Sequence, residues 1–307
     1  MAVEPQTKAI LDQLAAMGGP PLHELEVPQA RQMMEGLRAL AAAGPEVAKV
    51  ENRKITAAWG EIPLRTYTPS GTGPFPVLVW FHGGGWVLGD LEGADATCRE
   101  LTNAAGCVVV SVDYHLAPES KFPTAAEDCY AATKWVAENA AALGADARRL
   151  AIGGDSAGGN LTAVIALMAR DRGGPAVRFQ LLVYPVTDAV FDTRSYRDNA
   201  DGYLLTKDSM VWFWNHYLRN DADRANPYAS PLRAANLAGL PPALCITAEY
   251  DPLRDEGEAY AKRLEAAGVK TKLSRYDGTI HGFFSMTAFL DLGKKAVAEA
   301  AEALKRL

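Results

Sequence analysis

From residue 77 onward, short unbroken apolar runs alternate with stretches of helical period. The runs fall at 77–81, 108–112, 150–152, 179–184 and 243–247, with a further strand expected at 272–276. Runs without polar interruption predict strands buried on both faces, as in a parallel sheet. Helices are expected between them at about 93–105, 123–141, 156–170, 253–267 and 285–306. Strand and helix in alternation define an α/β architecture with right-handed crossovers and a doubly wound, mostly parallel sheet.

Two departures bracket this pattern. Upstream, two helices are expected at 5–17 and 28–43, parted by Gly18-Gly-Pro-Pro21 and closed by Gly44-Pro45. Strands at 50–58 and 62–67 follow, joined through Trp59-Gly-Glu61 as an antiparallel hairpin that opens the sheet. Downstream, the chain between Tyr184-Pro185 and Ala243 is longer than a crossover needs. It carries an aromatic helix at about 206–219, with Trp212, Phe213, Trp214 and Tyr217. That helix is placed with the N-terminal pair as a lid over the carboxyl ends of the strands. The expected division is one α/β domain (46–187 and 226–307) and one helical cap (1–45 and 188–225).

Composition narrows the function classes. The 307 residues are 49% hydrophobic and 22% charged, the balance of a folded globular chain. A net charge of -6, with no cluster of Lys and Arg, argues against nucleic acid as a partner. No apolar run reaches membrane-spanning length, and no secretory leader is read in Met1-Ala-Val-Glu-Pro-Gln-Thr-Lys8. Cys98, Cys107, Cys129 and Cys245 lie dispersed, without C-x-x-C spacing, and are expected as reduced core thiols of a cytoplasmic protein. No metal-ligand spacing and no phosphate loop occurs, so neither metal nor cofactor is expected.

The chemistry concentrates in a few stretches. Arg149-Leu-Ala-Ile-Gly-Gly-Asp-Ser156-Ala-Gly-Gly sets a serine between an apolar strand and an apolar helix, with Gly154 and Gly158 two residues away on either side. This is the pattern of a nucleophile elbow, where only side-chain-free neighbours permit so sharp a turn. Alone the pentapeptide is weak, because roughly one chain in ten of this length would contain it by chance. A serine hydroxyl also needs a base and an oxyanion site. The strand at 77–81 runs into His82-Gly-Gly-Gly-Trp86, a loop of bare amides, and Ala157 follows the serine with another. Of five histidines, His281 sits after the last strand and before the C-terminal helix, where such sheets carry the base. The third member is sought among Glu249, Asp251, Asp255 and Glu256; Asp251 fits best, at the strand exit and just before Pro252. A helix-capping aspartate would look the same. Asp255 and Glu256 are expected at the surface.

Taken together, His82-Gly-Gly-Gly-Trp86, Asp113-Tyr-His-Leu-Ala-Pro-Glu119, Gly154-Asp-Ser-Ala-Gly-Gly-Asn160, Asp251-Pro-Leu-Arg-Asp-Glu-Gly257 and His281-Gly-Phe283 resemble the hormonesensitive-lipase-like group of α/β-hydrolases, the bacterial family IV carboxylesterases. The resemblance spans nearly the whole chain. It implies the α/β-hydrolase fold, Ser156 as nucleophile, Gly83, Gly84 and Ala157 as oxyanion donors, and the helical cap. His115 stands where the family commonly has arginine, which puts in question an ion pair at that position with Glu119. The activity implied is hydrolysis of short to medium acyl esters through an acyl-enzyme. Amidase, lactonase or acyltransferase chemistry would use the same triad, and a non-catalytic receptor could use the same fold. Trp86, Met33, Met34, Leu205, Trp212, Phe213 and Phe283 are the candidates for an acyl pocket. The partner is a small-molecule ester, and the assembly a monomer or a homodimer.

Overall fold

A computed structural model describes residues 2–38 and 43–307. Its centre is an eight-stranded sheet in the order β1-β2-β4-β3-β5-β6-β7-β8. The strands are β1 (Lys49–Ala57), β2 (Gly60–Thr68), β3 (Phe75–Phe81), β4 (Val108–Val112), β5 (Ala145–Asp155), β6 (Phe179–Val183), β7 (Ala243–Tyr250) and β8 (Thr271–Ile280). β1 and β2 pair antiparallel, and β2 pairs antiparallel with β4. All remaining neighbours run parallel. The mostly parallel, doubly wound α/β sheet expected from the apolar runs is therefore present. β4 and β6 are buried at every position, the result of helices on both faces.

The helices are α1 (Pro5–Met17), α2 (Val27–Arg38), α3 (Leu91–Ala105), α4 (Thr124–Asn139), α5 (Ala157–Asp171), α6 (Arg194–Asp198), α7 (Lys207–Tyr217), α8 (Arg254–Ala266) and α9 (Asp291–Leu304). The expected helix at 28–43 is α2; its expected end at 39–42 lies outside the described residues. α9 begins at Asp291, six residues later than expected, because 283–290 is spent on a single tight turn and loop behind His281. Among the described residues, no helix is long and apolar enough to cross a membrane.

β5 and β8 are longer than their apolar runs. In β5, residues 145–149 are mostly half-buried or exposed, so the run marks only the buried centre. β8 is an edge strand of alternating exposure, and it continues to Ile280. The extensions bring each strand directly to the residue that matters. β3 ends at Phe81 before His82, β5 at Asp155 before Ser156, β7 at Tyr250 before Asp251, and β8 at Ile280 before His281. All four leave the carboxyl edge of the sheet, where α/β folds place their ligands.

Candidate active site

Ser156 adopts φ 57° and ψ -117° between β5 and α5, a strained turn for a residue with a side chain. Its amide donates to Val183 O (2.9 Å), while Asn160 N donates to its carbonyl (3.0 Å), so strand β6 and helix α5 hold the turn from both sides. A Cβ on Gly154 would collide with Gly158 O and Phe81 O, and one on Gly158 with Phe81 O. Backbone passes where side chains would be, which is why glycine stands at both places.

The Ser156 hydroxyl lies 2.9 Å from His281 Nε2. His281 Nδ1 lies 2.7 Å from Asp251 Oδ2. A ring that donates from Nδ1 to a carboxylate leaves Nε2 as the acceptor for the hydroxyl proton. Asp251 has no exposed surface, and its other oxygen, Oδ1, accepts from Leu253 N (2.8 Å). Thus the cap role and the histidine contact are both present, one oxygen each. Tyr184 closes one side of the imidazole, with ring centroids 4.5 Å apart.

Three amides were expected to face the oxyanion. Gly83 N donates to Asp155 Oδ1 (3.1 Å). Among the described residues, the amides of Gly84 and Ala157 have no acceptor, and Ala157 opens α5, where first-turn N–H groups lack intrahelical partners. Gly84 is held at φ 111° by the bonds of Val87 N and Leu88 N to its carbonyl. His82 braces the loop: it stacks on Tyr114, whose hydroxyl donates to His82 O (2.8 Å), and its Nδ1 lies 2.7 Å from Gly83 O. Asp155 is a carboxylate that sequence reasoning passed over, although it adjoins the serine. Burial pushes its pKa up to about 6, against the opposing influence of His281 and the Gly83 amide.

The pocket candidates divide. Trp86 is without exposed surface, its face covered by Tyr217 at 4.2 Å and flanked by Trp214 at 4.7 Å. Phe283 is equally enclosed, between Tyr276 and Tyr184. Both are corrected to packing residues, because their aromatic faces already have partners. Phe213 lies against Gly85 of the glycine loop, at a spot where a Cβ would strike its ring. Trp212 packs edge-on against Phe213, and Leu205 is half-buried on the core. Met34 lines a cavity of about 810 Å³ between α2, α3 and residues 285–289; the half-buried Met33 does not. Ser156 and His281 are not in its walls. The cavity reaches their neighbourhood through Met286, next to Gly282, and through Gly89, packed on His82.

Two further expectations are corrected. Glu256 is buried, not at the surface: its Oε1 accepts from Thr187 N (2.6 Å) and Asp188 N (3.3 Å), and burial raises its pKa well above the ordinary range. Asp255 is half-buried and accepts from Ser195 N. Glu119 pairs with Arg31 of α2 rather than with position 115, and His115 Nδ1 lies 2.6 Å from the buried carboxylate of Asp128.

A serine at a strand-to-helix elbow, a histidine after the last strand and an acid after the one before it are the arrangement of an α/β-hydrolase. The alpha/beta hydrolase fold family matches residues 78–285, and the chain belongs to it, as a member of the hormone-sensitive-lipase-like group. The carboxylic ester hydrolase LipN of Mycobacterium tuberculosis is 50% identical over 81% of this chain and 69% of its own. Ethyl acetate hydrolase of Pseudomonas putida is 39% identical over 93% and 92%. A thermostable esterase from Pseudomonas putida superposes with a TM-score of 0.96 at 46% identity, covering 99% of this chain and 97% of its own. The hyperthermophilic esterase from Pyrobaculum calidifontis gives 0.96 at 45%, covering 100% and 99%.

Proposed function

We propose that this protein, a carboxylic ester hydrolase, cleaves esters of short to medium acyl chain through an acyl-enzyme on Ser156. The observation that carries the reading is the unbroken chain of contacts from Ser156 Oγ through His281 to Asp251, at 2.9 and 2.7 Å. Ser156 Oγ attacks the ester carbonyl while His281 Nε2 takes its proton. Asp251 holds the ring and offsets the imidazolium charge. The oxyanion is received by Gly84 N–H and Ala157 N–H; Gly83 can join them only by sharing the hydrogen it gives to Asp155. The tetrahedral adduct collapses, the alkoxide leaves with the His281 proton, and water repeats the sequence on the acyl-enzyme. Residues 1–45 and 188–225 act as the cap, a reading supported by Phe213 of α7 packed on Gly85.

A panel of p-nitrophenyl esters of rising chain length, run beside anilides and lactones, tests the substrate class. The first turnover is expected to release p-nitrophenol in stoichiometric amount, with a Ser156 acyl adduct seen by mass spectrometry. Ser156→Ala is expected to lower kcat by about 10⁶. Activity surviving that substitution overturns the reading.

A further inference from the structure

The turn that carries Asp251 is fastened by the short cap helix α6. Ser195 and Asn199, one helical turn apart, face it together, and both are buried. The Ser195 hydroxyl donates to Pro252 O (2.6 Å), and its amide donates to Asp255 Oδ2 (2.8 Å). Asp255 N donates back to Ser195 Oγ (3.2 Å). The Asn199 side chain donates to Asp251 O (3.2 Å) and Glu249 O (3.3 Å). Tyr250 ends the strand, so the carbonyls of Asp251 and Pro252 lie beyond it; Ser195 donates to Pro252 O, and Asn199 joins Arg254 N (3.2 Å) on Asp251 O.

We infer that Ser195 and Asn199 are positioning residues for the catalytic acid, so that the cap insertion is part of the device that aims Asp251 at His281. The inference rests on the triad reading above. Asp251 has one carboxylate oxygen for Leu253 N and one for His281. Its direction is therefore set by the backbone of 251–253, which is what α6 grips. The other charged groups at the junction are bonded within it: Arg254 Nη1 donates to Glu249 O and its Nε to Asp255 Oδ1, Glu249 accepts from Gly278 N, and Glu256 accepts from Thr187 N. Arg254 N also donates to Asp251 O (3.2 Å), so Asn199 shares that carbonyl, while none of these charged side chains reaches Pro252 O, which Ser195 holds.

A carboxylate turned by about an ångström loses its hold on the imidazole, and misplacement on that scale costs up to about 10²-fold in rate. Ser195→Ala and Asn199→Ala are expected to lower kcat 10- to 100-fold with KM for a p-nitrophenyl ester little changed. Ser195→Thr keeps the hydroxyl and is expected to restore most of the rate.

A second readout does not need turnover. The Nδ1 proton of His281, bonded to Asp251, gives a low-field proton resonance, which is expected to persist in Ser156→Ala and to weaken or shift in Ser195→Ala and Asn199→Ala. Folded variants that keep the wild-type resonance overturn the inference, whatever their kcat. If Ser156→Ala stays active while the resonance still responds to α6, the triad function fails and the positioning role stands.

Discussion

Asp155 is a residue whose charge fits its place poorly. It sits beside Ser156, and Gly83 N donates to it, yet burial holds its pKa near 6, above the ordinary carboxylate value of 3.8. A folded-state pKa above the unfolded one means that the protonated acid fits the fold better. Its contribution is favourable below the unfolded value and is lost as pH rises through about 6, so at neutral pH the ionised side chain costs stability. Asp155→Asn keeps the shape without the charge. It is expected to melt higher than wild type at pH 7 to 8, with the difference closing below about pH 4, as followed by thermal denaturation across pH. Activity at neutral pH is expected to fall, because the carboxylate also faces the His281 imidazolium formed during turnover. A variant that gains nothing above pH 6 would mean the charge is better solvated than its surroundings indicate.

At the scale of elements, glycine placement separates turns that tolerate a side chain from turns that do not. Gly158, in the first turn of α5, lies under Phe81 O with no room for a Cβ. Gly158→Ala is therefore expected to push the elbow off β3, lowering both the melting temperature and kcat. Gly36, in exposed α2, has nothing within 4 Å of a built Cβ. Gly36→Ala is expected to add up to about 1 kcal/mol of stability through helix propensity, with activity unchanged, as measured by urea titration and ester assay. The same contrast explains what could be read from the chain alone. Central strands announce themselves because full burial demands unbroken apolar runs, and the elbow does so because its glycines are sterically required. The ends of β5 and β8 were hidden, since an edge strand and a half-exposed strand tip carry no such run. Asp251 was legible by its position in the order of strands. Ser195, Asn199 and the Gly83–Asp155 bond were not, because a polar residue in a short helix or at a strand end takes its meaning from a partner tens of residues away. Glu256 was misread for the related reason that a carboxylate on a helix looks solvated until two backbone amides of another segment are found to need it.

For the whole molecule, the question is how the N-terminal helices stay on the sheet domain, and Arg31 of α2 gives a quantitative handle on it. Its Nε donates to Val87 O (3.0 Å) and its Nη2 to Ala117 O (3.0 Å), while both terminal nitrogens reach Glu119 at 2.8 Å. Val87 follows the glycine loop, and Ala117 N donates to Trp86 O (2.8 Å), so one side chain ties α2 to the chain around that loop. The ion pair is the lesser part: Glu119 is 62% exposed at its side chain, and exposed pairs contribute at most about 1 kcal/mol. The carbonyl bonds are half-buried, and leaving such acceptors without a donor costs about 1 to 3 kcal/mol. Glu119→Ala is accordingly expected to lose less than about 1 kcal/mol in urea unfolding, and Arg31→Ala about 2. Arg31→Lys is expected to fall close to Arg31→Ala, since an ammonium has no planar fork to reach three acceptors. Arg31 also holds Glu119 below the usual carboxylate range. A lowered folded-state value means that the pair helps above the unfolded value and stops helping as pH falls through the folded one. The gap between wild type and Glu119→Ala should therefore close in acid, while the Arg31→Ala deficit persists there. Equal losses for the two alanine variants at neutral pH would assign the attachment to charge instead of to the carbonyls of Val87 and Ala117.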